Sequence, residues 1–446
     1  MTDPSTLVDL EHGHINPQVY TDQSIFDAEM REIFGRTWLF LVHESQLKKR
    51  GDFFTTFMGL DPVLVTKQGD GSLKAMLNVC RHRGMRVCTL EQGNQKMFTC
   101  PYHGWSYSVD GSLGSVPFEE DFPDSFDRTK LGLREIRIES YRGLVFGNFD
   151  PDAPSLEDYL GDMKHYIDAH FARREGGTEV ISGVHKWQIR ANWKIPSEQF
   201  VSDMYHTFTL HLSPYQVLLT EQDSGEAPES HLTREAAVVG AQFVSPYGHG
   251  SGWWVASEDQ PGDLTISSKT VRDYLGDTHD EAVSRLGEAR AGMQAHCTVF
   301  PNFSFLATPT ATMRVWHPKE PGLIEVWSWG FVDAAAPAEV KDEIRRFESL
   351  TFGPGGIFEQ DDGEVWVRIQ NNLQGPQAQA LGVTLQLGRQ NQRPPGTDGL
   401  PGALNNVNSE AAGRSFFGQW LNLLQGGRWD ARADGFIENH TGQVTP

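Results

Sequence analysis

The sequence predicts an α+β protein with two domains: a small all-β domain and a larger α+β domain that combines an antiparallel sheet with helices. The chain of 446 residues is longer than a typical single domain, and its 38% hydrophobic content can fill two cores. Short β-rich runs broken by turns fill residues 52–150, whereas helical and strand patterns mix in the remainder. We therefore place the small domain at 38–155 and the larger domain at 156–446.

The first predicted element is a helix within the N-terminal segment, 1–37, which we expect to pack on the larger domain. In "QSIFDAEMREIFGRTWLFL" the apolar residues recur near the spacing of one helix face, and Gly35 stands where such a helix would end. The apolar positions are Ile25, Phe26, Met30, Ile33 and Phe34.

The small domain is predicted to consist of antiparallel strands joined by tight turns. "DPVLVTKQGDGSLKAMLNV" predicts a hairpin around residues 69–71, where Gly-Asp-Gly interrupts two β-rich runs. "WSYSVDGSLGSV" predicts a second hairpin around Asp110 and Gly111.

The larger domain follows a proline-containing linker, "FDPDAPSLEDYLG". Two of its segments, 310–318 and 322–333, predict neighbouring strands. The segment 386–413 is rich in Gly, Pro and Asn, and we expect a long irregular connection there.

Composition excludes several classes of partner. The 59 acidic residues exceed the 38 basic ones and leave a formal charge of −21, which disfavours binding to nucleic acid or to an anionic membrane. No apolar run reaches the roughly 18 residues of a membrane span, and the first residues do not form a signal peptide. Four cysteines are too few for a disulfide framework. We expect a cytoplasmic protein whose cysteines bind metal.

Two short loops of the small domain carry the same pair of metal-binding residue types. "CRHRG" contains Cys80 and His82, "CPYHGW" contains Cys100 and His103, and seventeen residues separate the two pairs. Such a set can hold zinc, or a [2Fe–2S] cluster in which two histidines replace two cysteines on one iron. Zinc sites of this ligand type usually take both cysteines from one element. Two matched loops therefore favour the cluster.

These loops closely resemble the signature of Rieske [2Fe–2S] domains, which transfer single electrons. Gly84 and Gly104 follow the two pairs, and we expect them to let the backbone approach the cluster. Cys88 and Cys297 fit neither loop, and we expect them to pack in the interior. The resemblance implies that the cluster ligands are Cys80, His82, Cys100 and His103.

A second constellation lies in the larger domain, in "NWKIPSEQFVSDMYHTFTLH", which also contains Glu198. Asp203 and His206 are three residues apart and would share one helix face, but His206 and His211 are five apart, about 140° around an ideal helix. Both histidines can reach one metal only where the helix is irregular or ends. Two histidines and a carboxylate form the facial triad of non-haem iron(II) sites.

This stretch and "FGPGGIFEQDDGEVW", at 352–366, resemble the iron-binding segments of the large (alpha) subunits of Rieske ring-hydroxylating dioxygenases. The resemblance covers nearly the whole chain, is nearest to the naphthalene and biphenyl or toluene enzymes, and implies a helix-grip catalytic domain. It implies that Asp362 is the third iron ligand and that Asp361 caps or orients the following helix, a choice that spacing alone does not make. "DMYH" follows the biphenyl type, whereas the spacing from His206 to His211 follows the naphthalene type.

The resemblance implies a terminal oxygenase that uses O₂ to cis-dihydroxylate a mono-, bi- or polycyclic aromatic hydrocarbon in aromatic catabolism. In that family three alpha subunits form a ring, often with small beta subunits (α3β3), and the cluster of one subunit lies against the iron of the next. Asp203 would then link its own His206 to His103 of the partner subunit. The implied catalytic residues are Asp203, His206, His211 and Asp362.

Electrons are expected to come from NADH through separate proteins. No Gly-x-Gly-x-x-Gly follows a predicted strand, and the chain has no plant-type Cys-x₄-Cys-x₂-Cys motif. NADH oxidation therefore requires a separate reductase, with or without a ferredoxin between them.

A dry apolar pocket should hold the aromatic ring beside the iron. Each candidate can equally be an ordinary core residue. By position the candidates are Gln199, Phe200, Met204, Thr207, His296, Leu306, Phe352 and Phe358.

Two other interpretations remain open at this stage. The same irons can act on an aromatic carboxylate or perform monohydroxylation or demethylation, because the outcome depends on where the substrate carbon lies. In the other interpretation, of a different class, the chain is an electron-transfer or redox-sensing protein without oxygenase chemistry. The coexistence of Asp203, His206, His211 and Asp362 argues against that interpretation.

Overall fold

The chain folds into two units, Phe34–Leu156 and Met1–Ile33 together with Glu157–Pro446. The structure, a computed structural model, describes residues 4–220, 240–255, 267–307, 310–388, 399–427 and 429. No helix in this described part is long and apolar enough to cross a bilayer.

The N-terminal segment contains the predicted helix. After a 3-10 turn at Pro4–Thr6 come β1 (Val8–Asp9), β2 (His14–Ile15), α1 (Gln18–Thr21) and α2 (Gln23–Glu32). The Asp22 side chain caps α2 by accepting hydrogen bonds from the backbone N–H groups of Ser24 and Ile25. The helix ends before Gly35, as predicted.

A buried carboxylate ties α2 to the rest of its unit. Glu29 is fully buried, and its Oε1 accepts hydrogen bonds from Lys194 Nζ at 2.5 Å and Trp420 Nε1 at 2.7 Å. Its Oε2 accepts one from Trp193 Nε1 at 2.8 Å. Every donor is itself buried, so one carboxylate satisfies a cation and two indoles that water cannot reach.

Replacing Glu29 with alanine should therefore destabilise this unit strongly. The change leaves the Lys194 ammonium buried without its counter-charge, and losing one partner of a buried ion pair costs about 3–5 kcal/mol. We expect a clear fall in the denaturant midpoint of Glu29→Ala. Asp27→Ala is the matched control, because Asp27 is an exposed carboxylate on the same helix and should matter by less than about 0.5 kcal/mol. Equal midpoints for the two variants would contradict this account.

The small unit is built from antiparallel strands. One sheet has the order β3-β12-β11-β6-β5-β4-β7 and the other β10-β9-β8, and both predicted hairpins are present, as β5–β6 and β9–β10. Short 3-10 turns lie at Glu44–Gln46, Glu119–Asp121 and Arg128–Lys130. The strands are β3 (Leu39–His43), β4 (Asp52–Met58), β5 (Asp61–Lys67), β6 (Leu73–Leu77), β7 (Gln92–Asn94), β8 (Met97–Thr99), β9 (Ser106–Ser108), β10 (Leu113–Ser115), β11 (Glu135–Tyr141) and β12 (Leu144–Asn148).

The larger unit mixes helices with strands, as predicted, and it resumes within the proline-containing segment 149–161. Its first elements are α3 (Leu156–Leu160), α4 (Met163–Phe171), β13 (Thr178–Ile189), α5 (Lys194–Ser202), α6 (Thr207–Leu210), α7 (Leu212–Thr220), β14 (Gly240–Val244) and β15 (Gly250–Val255). The middle elements are α8 (Lys269–Asp277), α9 (His279–Leu286), α10 (Glu288–Ala291), β16 (Met293–Val299), β17 (Phe303–Leu306), β18 (Thr312–Glu320) and β19 (Leu323–Asp333). The last are α11 (Ala338–Thr351), α12 (Ile357–Asn372), α13 (Pro376–Leu381), β20 (Val383–Thr384), β21 (Ala403–Asn406) and α14 (Ala411–Leu424).

An antiparallel sheet of eight strands, in the order β13-β19-β18-β17-β16-β15-β14-β21, organises this unit. The predicted neighbouring strands are β18 and β19. Helix α5 packs across β15, β16 and β17, where Thr298 Oγ1 donates a hydrogen bond to the Ser197 carbonyl at 3.0 Å. A small sheet, β1-β2-β20, joins the N-terminal segment to the later part of the chain.

The segment 386–413 is not irregular throughout. It contains β21, which pairs with β14 at the sheet edge, and the first residues of α14. The strand sequence "ALNN" has only four residues and no apolar–polar alternation, so it cannot be identified as a strand without its partner. Residues 389–398 of this segment lie outside the described part.

Candidate metal centres

The two Cys/His loops of the small unit have the same backbone hydrogen bonds. Cys80 N–H donates to the carbonyl five residues on at 2.8 Å, and its own carbonyl accepts from the N–H four residues on at 2.9 Å. Cys100 repeats both bonds, at 2.8 and 3.0 Å. The two similar sequence motifs therefore form the same hydrogen-bonded turn.

Gly84 and Gly104 end the tight turns of these loops with φ angles of +73° and +75°. This left-handed conformation is the reason for glycine, because a side chain would be strained there. A Cβ on Gly84 would have no heavy atom within 4 Å in the protein. The predicted role, close approach of backbone to a cluster, stays a prediction.

The four predicted cluster ligands converge at one end of the small unit. The imidazoles of His82 and His103 lie with ring centroids 4.5 Å apart, and His82 stacks on Trp105 at 4.9 Å. Cys80 and Cys100 are buried, and Tyr107 Oη lies 3.4 Å from Cys80 Sγ. His82 Nδ1 is buried and has no hydrogen-bond partner among the described residues. Such an atom fits a metal ligand, so the residues suit a [2Fe–2S] cluster.

The remaining cysteines are interior residues, as expected. Cys88 belongs to the core of the small unit, and its backbone exchanges two hydrogen bonds with the Asn78 side chain. Cys297 lies in β16 with its thiol against Ser251 Oγ, and burial raises the pKa of this thiol to about 12.

The second constellation lies where the helical path breaks twice. Helix α5 ends at Ser202, α6 begins after His206, and His211 separates α6 from α7. These breaks turn His206 and His211 towards each other, as the five-residue spacing required. The expectation that Asp203 and His206 share a helix face is wrong, because Asp203 ends α5. Asp203 Oδ1 instead accepts hydrogen bonds from the N–H groups of Tyr205 and His206.

The ligand trio, His206, His211 and Asp362, comes together from the broken helix and α12. The two Nε2 atoms are 3.2 Å apart, and Asp362 Oδ1 lies 3.4 Å from that of His211 and 3.8 Å from that of His206. Ligand atoms about 2.1 Å from a shared ion and at right angles lie about 3.0 Å apart. The trio therefore fits a metal ion of the non-haem iron type. Glu198 is not part of this group.

A hydrogen-bonded chain holds the carboxylate of Asp362. Trp366 Nε1 donates to Gln199 Oε1 at 2.6 Å, and Gln199 Nε2 donates to Asp362 Oδ1 at 2.8 Å. Trp366 lies one helical turn beyond Asp362 on α12, and both side chains are buried. This arrangement orients the carboxylate and leaves its charge facing the histidines.

The electrostatics of the trio favour a positive charge between its members. Burial alone would raise the pKa of Asp362, but the imidazoles of His211 and His206 outweigh it and lower that pKa. Burial alone would lower the pKa of His206, but Asp203 and Asp362 outweigh it and raise that pKa to about 9. A bound metal cation supplies the same positive charge and displaces the proton.

Asp361 does not cap the helix, because it lies inside α12 rather than at its start. Its Oδ2 is 3.7 Å from His211 Nδ1, the nitrogen that faces away from the trio. Asp203 stands in the same relation to His206, with Oδ2 at 3.4 Å from Nδ1. Each histidine of the trio thus has an aspartate behind it, and sequence reasoning identified only Asp203.

A pocket opens beside the trio. All eight predicted pocket residues line it, on α5, the first helix break, α6, β16, β17, the end of α11 and α12. Sequence reasoning missed six further lining residues, because no local motif marks them. The missed lining residues are Tyr215, Trp254, Gln294, Ala295, Ala307 and Thr310.

A buried ion pair lies behind the pocket wall rather than in it. Arg314 Nη1 donates to Glu359 Oε2 at 2.6 Å, and Arg314 Nη2 donates to the Phe352 carbonyl at 3.3 Å. The guanidinium lies 5.1 Å from the Phe200 ring and 5.4 Å from the Phe352 ring. Arg314 therefore supports two aromatic lining residues while its own charge is neutralised.

Two family descriptions match the chain. "Rieske [2Fe-2S] domain" matches residues 37–136, and "Ring hydroxylating alpha subunit (catalytic domain)" matches residues 156–393.

Individual relatives match along nearly the full length. The chain is 43% identical to the biphenyl dioxygenase subunit alpha of Metapseudomonas furukawaii, over 95% of this chain and 93% of that protein. It is 42% identical to the benzene 1,2-dioxygenase subunit alpha of Pseudomonas putida, over 96% and 94%. The crystal structure of the naphthalene 1,2-dioxygenase F352V mutant bound to phenanthrene superposes with a TM-score of 0.88 at 33% identity, covering 98% of each chain.

These matches confirm the predicted family, the fold class and the cofactors, a Rieske cluster and mononuclear iron. Members of the family are terminal oxygenases that receive electrons through a ferredoxin and a reductase and act on aromatic substrates. The chain belongs to the Rieske non-haem iron aromatic ring-hydroxylating dioxygenases, as an alpha subunit.

Proposed function

We propose that this dioxygenase cis-dihydroxylates an aromatic hydrocarbon of one or more rings. The observation that carries the proposal is the pocket beside the ligand trio, whose lining is rich in aromatic and apolar side chains. Among the described residues that line it there is no Lys or Arg. A substrate carboxylate would be left without a counter-charge there, so a hydrocarbon fits better than an aromatic acid.

In this proposal, His206, His211 and Asp362 hold the iron, and Cys80, His82, Cys100 and His103 hold the cluster. When bound, the cluster supplies single electrons and the iron supplies the site where oxygen meets the ring. Gln199 and Trp366 orient the Asp362 carboxylate. Phe200, Phe352 and Phe358 exclude water and place the aromatic ring against the trio.

We also propose that alpha subunits assemble as a ring of three, alone or with three small beta subunits. Asp203 would then join His206 of its own chain to His103 of the partner subunit. The Asp203 side chain supports this role, because 37% of it is exposed while its Oδ2 lies 3.4 Å from His206 Nδ1. Its carboxylate can accept a hydrogen bond from each side.

We place the enzyme in the cytoplasm and take NADH as the source of its electrons. Cys80 and Cys100 are unpaired, and both must remain reduced to act as thiolate ligands, which the cytoplasm ensures.

Metal analysis and product analysis test this proposal together. Anaerobically purified protein should contain two irons and two sulfides for the cluster, and one further iron for the trio. With a ferredoxin, a reductase and NADH, biphenyl or naphthalene should yield a cis-dihydrodiol that carries both atoms of ¹⁸O₂. A protein that binds only the cluster iron after reconstitution with Fe(II), or a product with a single labelled oxygen, would overturn the proposal.

A further inference from the structure

His296 places an imidazole in the wall of the substrate pocket. It lies on β16, opposite Leu306 of β17 in the sheet, and only 9% of the residue is exposed. It is not a member of the ligand trio, whose nitrogen and oxygen atoms lie within 4.8 Å of one another. Any binding role of His296 therefore depends on the hydrogen bonds of its own ring nitrogens.

The hydrogen bond of Nδ1 determines which nitrogen carries the proton. Because α5 ends at Ser202, the N–H of Met204 donates to the Ser202 carbonyl and not to that of Phe200. The Phe200 carbonyl lies 3.1 Å from His296 Nδ1. A carbonyl can only accept, so Nδ1 carries the proton and donates to it.

This arrangement makes Nε2 a hydrogen-bond acceptor. Burial, and then the nearby His206, lower the pKa of His296 to about 4, so that the ring is neutral at pH 7. Nε2 is buried and has no hydrogen-bond partner among the residues that the structure describes. A buried acceptor without a donor is destabilising, and a ligand with the right donor can supply the missing hydrogen bond.

Two polar groups of the pocket use their protons within the protein. Thr310 Oγ1 donates to the Ala307 carbonyl at 2.7 Å, and Trp254 Nε1 donates to Gln294 Oε1 at 3.0 Å. Because no described residue donates to His296 Nε2, the donor for this atom has to come from a bound molecule.

We propose that His296 Nε2 accepts a hydrogen bond from an O–H or N–H substituent of the aromatic substrate, so that the enzyme prefers donor-bearing aromatics to their methyl counterparts. The inference rests on the proposed function, because it assumes that the ring binds in this pocket. It assigns His296 to substrate positioning and specificity rather than to metal binding.

The test compares the binding of matched ligands in the absence of O₂ and reductant. Affinities of the 2-, 3- and 4-hydroxybiphenyls and of the corresponding methylbiphenyls are measured by calorimetry on the metal-containing enzyme. At least one hydroxy isomer should bind roughly 3- to 10-fold more tightly than its methyl counterpart, the net value of one hydrogen bond.

Three variants separate this role from a structural one. His296→Asn retains a donor for the Phe200 carbonyl but lacks the distal acceptor, His296→Leu lacks both, and His296→Gln reaches as far as Nε2. The preference should vanish in the Asn and Leu variants and return in the Gln variant. A wild-type enzyme without the preference, or Asn and Leu variants that retain it, would overturn the proposal.

The same preparations keep the two proposals apart. Wild-type enzyme that shows the binding preference but forms no dihydrodiol from either biphenyl or naphthalene would refute the proposed function and leave the role of His296 standing. Dihydrodiol formation by a wild-type enzyme with no binding preference would refute the role of His296 alone.

Discussion

Replacing Asp362 with alanine is expected to remove the mononuclear iron and leave the Rieske cluster intact. Asp362 is the carboxylate of the trio, 1% exposed, with Oδ1 facing the Nε2 atoms of His206 and His211. Without it two neutral imidazoles remain, which hold Fe(II) weakly. The affinity for Fe(II) should fall by more than about 100-fold, since even the loss of a residue that only hydrogen-bonds to a metal ligand lowers metal affinity 10- to 100-fold.

Iron analysis, visible spectra and turnover measure this effect. The spectrum of the cluster should be unchanged, because its candidate ligands lie in the other unit of the chain. Product formation should fall in parallel with the third iron.

Two variants of the same helix serve as comparisons for Asp362→Ala. Glu364→Ala removes an exposed carboxylate that pairs only with Arg368 in the described part, and it should retain iron. Asp361→Ala removes the carboxylate behind His211 and should weaken iron binding by an intermediate amount, about 10- to 100-fold. If Asp361→Ala loses the iron and Asp362→Ala retains it, the two aspartates have the opposite roles.

Those parts of the fold that depend on local signals could be predicted from the sequence. The hairpins follow from Gly-Asp-Gly and Asp-Gly turns, and α2 follows from its apolar face and the glycine beyond it. The helix break between His206 and His211 also follows from the sequence once both histidines are assumed to share a metal, whereas the earlier break at Asp203–His206 does not. In each case the signal and the structure lie within about ten residues of each other.

The parts that could not be predicted depend on residues that are distant in the chain. Glu29 accepts hydrogen bonds from Lys194 and Trp420, which lie 165 and 391 positions further along the chain, and no pattern near Glu29 predicts either partner. The support of Asp362 by Gln199 likewise spans 163 positions. The resemblance implies only that Asp361 caps or orients a helix, because its contact with His211 exists only after α12 packs against the broken helix.

Replacing Asp203 with asparagine should stop turnover while both metal centres stay occupied. Asparagine is isosteric, and its Oδ1 can still accept from the N–H groups of Tyr205 and His206 that Asp203 Oδ1 contacts at 3.0 and 3.2 Å. The helix break, and with it the position of His206, should therefore survive. What is lost is the negative charge 3.4 Å from His206 Nδ1.

The effect of losing this charge shows whether Asp203 links two subunits or only holds the local structure. In the proposed trimer the carboxylate accepts hydrogen bonds from His206 and from His103 of the partner subunit. In Asp203→Asn an amide nitrogen takes the place of Oδ2, and it can accept neither hydrogen bond. We expect turnover to fall by about 100-fold, with the iron site still filled at saturating Fe(II) and the denaturant midpoint unchanged. Oxidation of the pre-reduced cluster by O₂ and substrate, followed by stopped-flow absorbance, should slow equally. A slow turnover with rapid cluster oxidation would place the defect after electron transfer, and near-normal turnover would exclude Asp203 as the link between subunits.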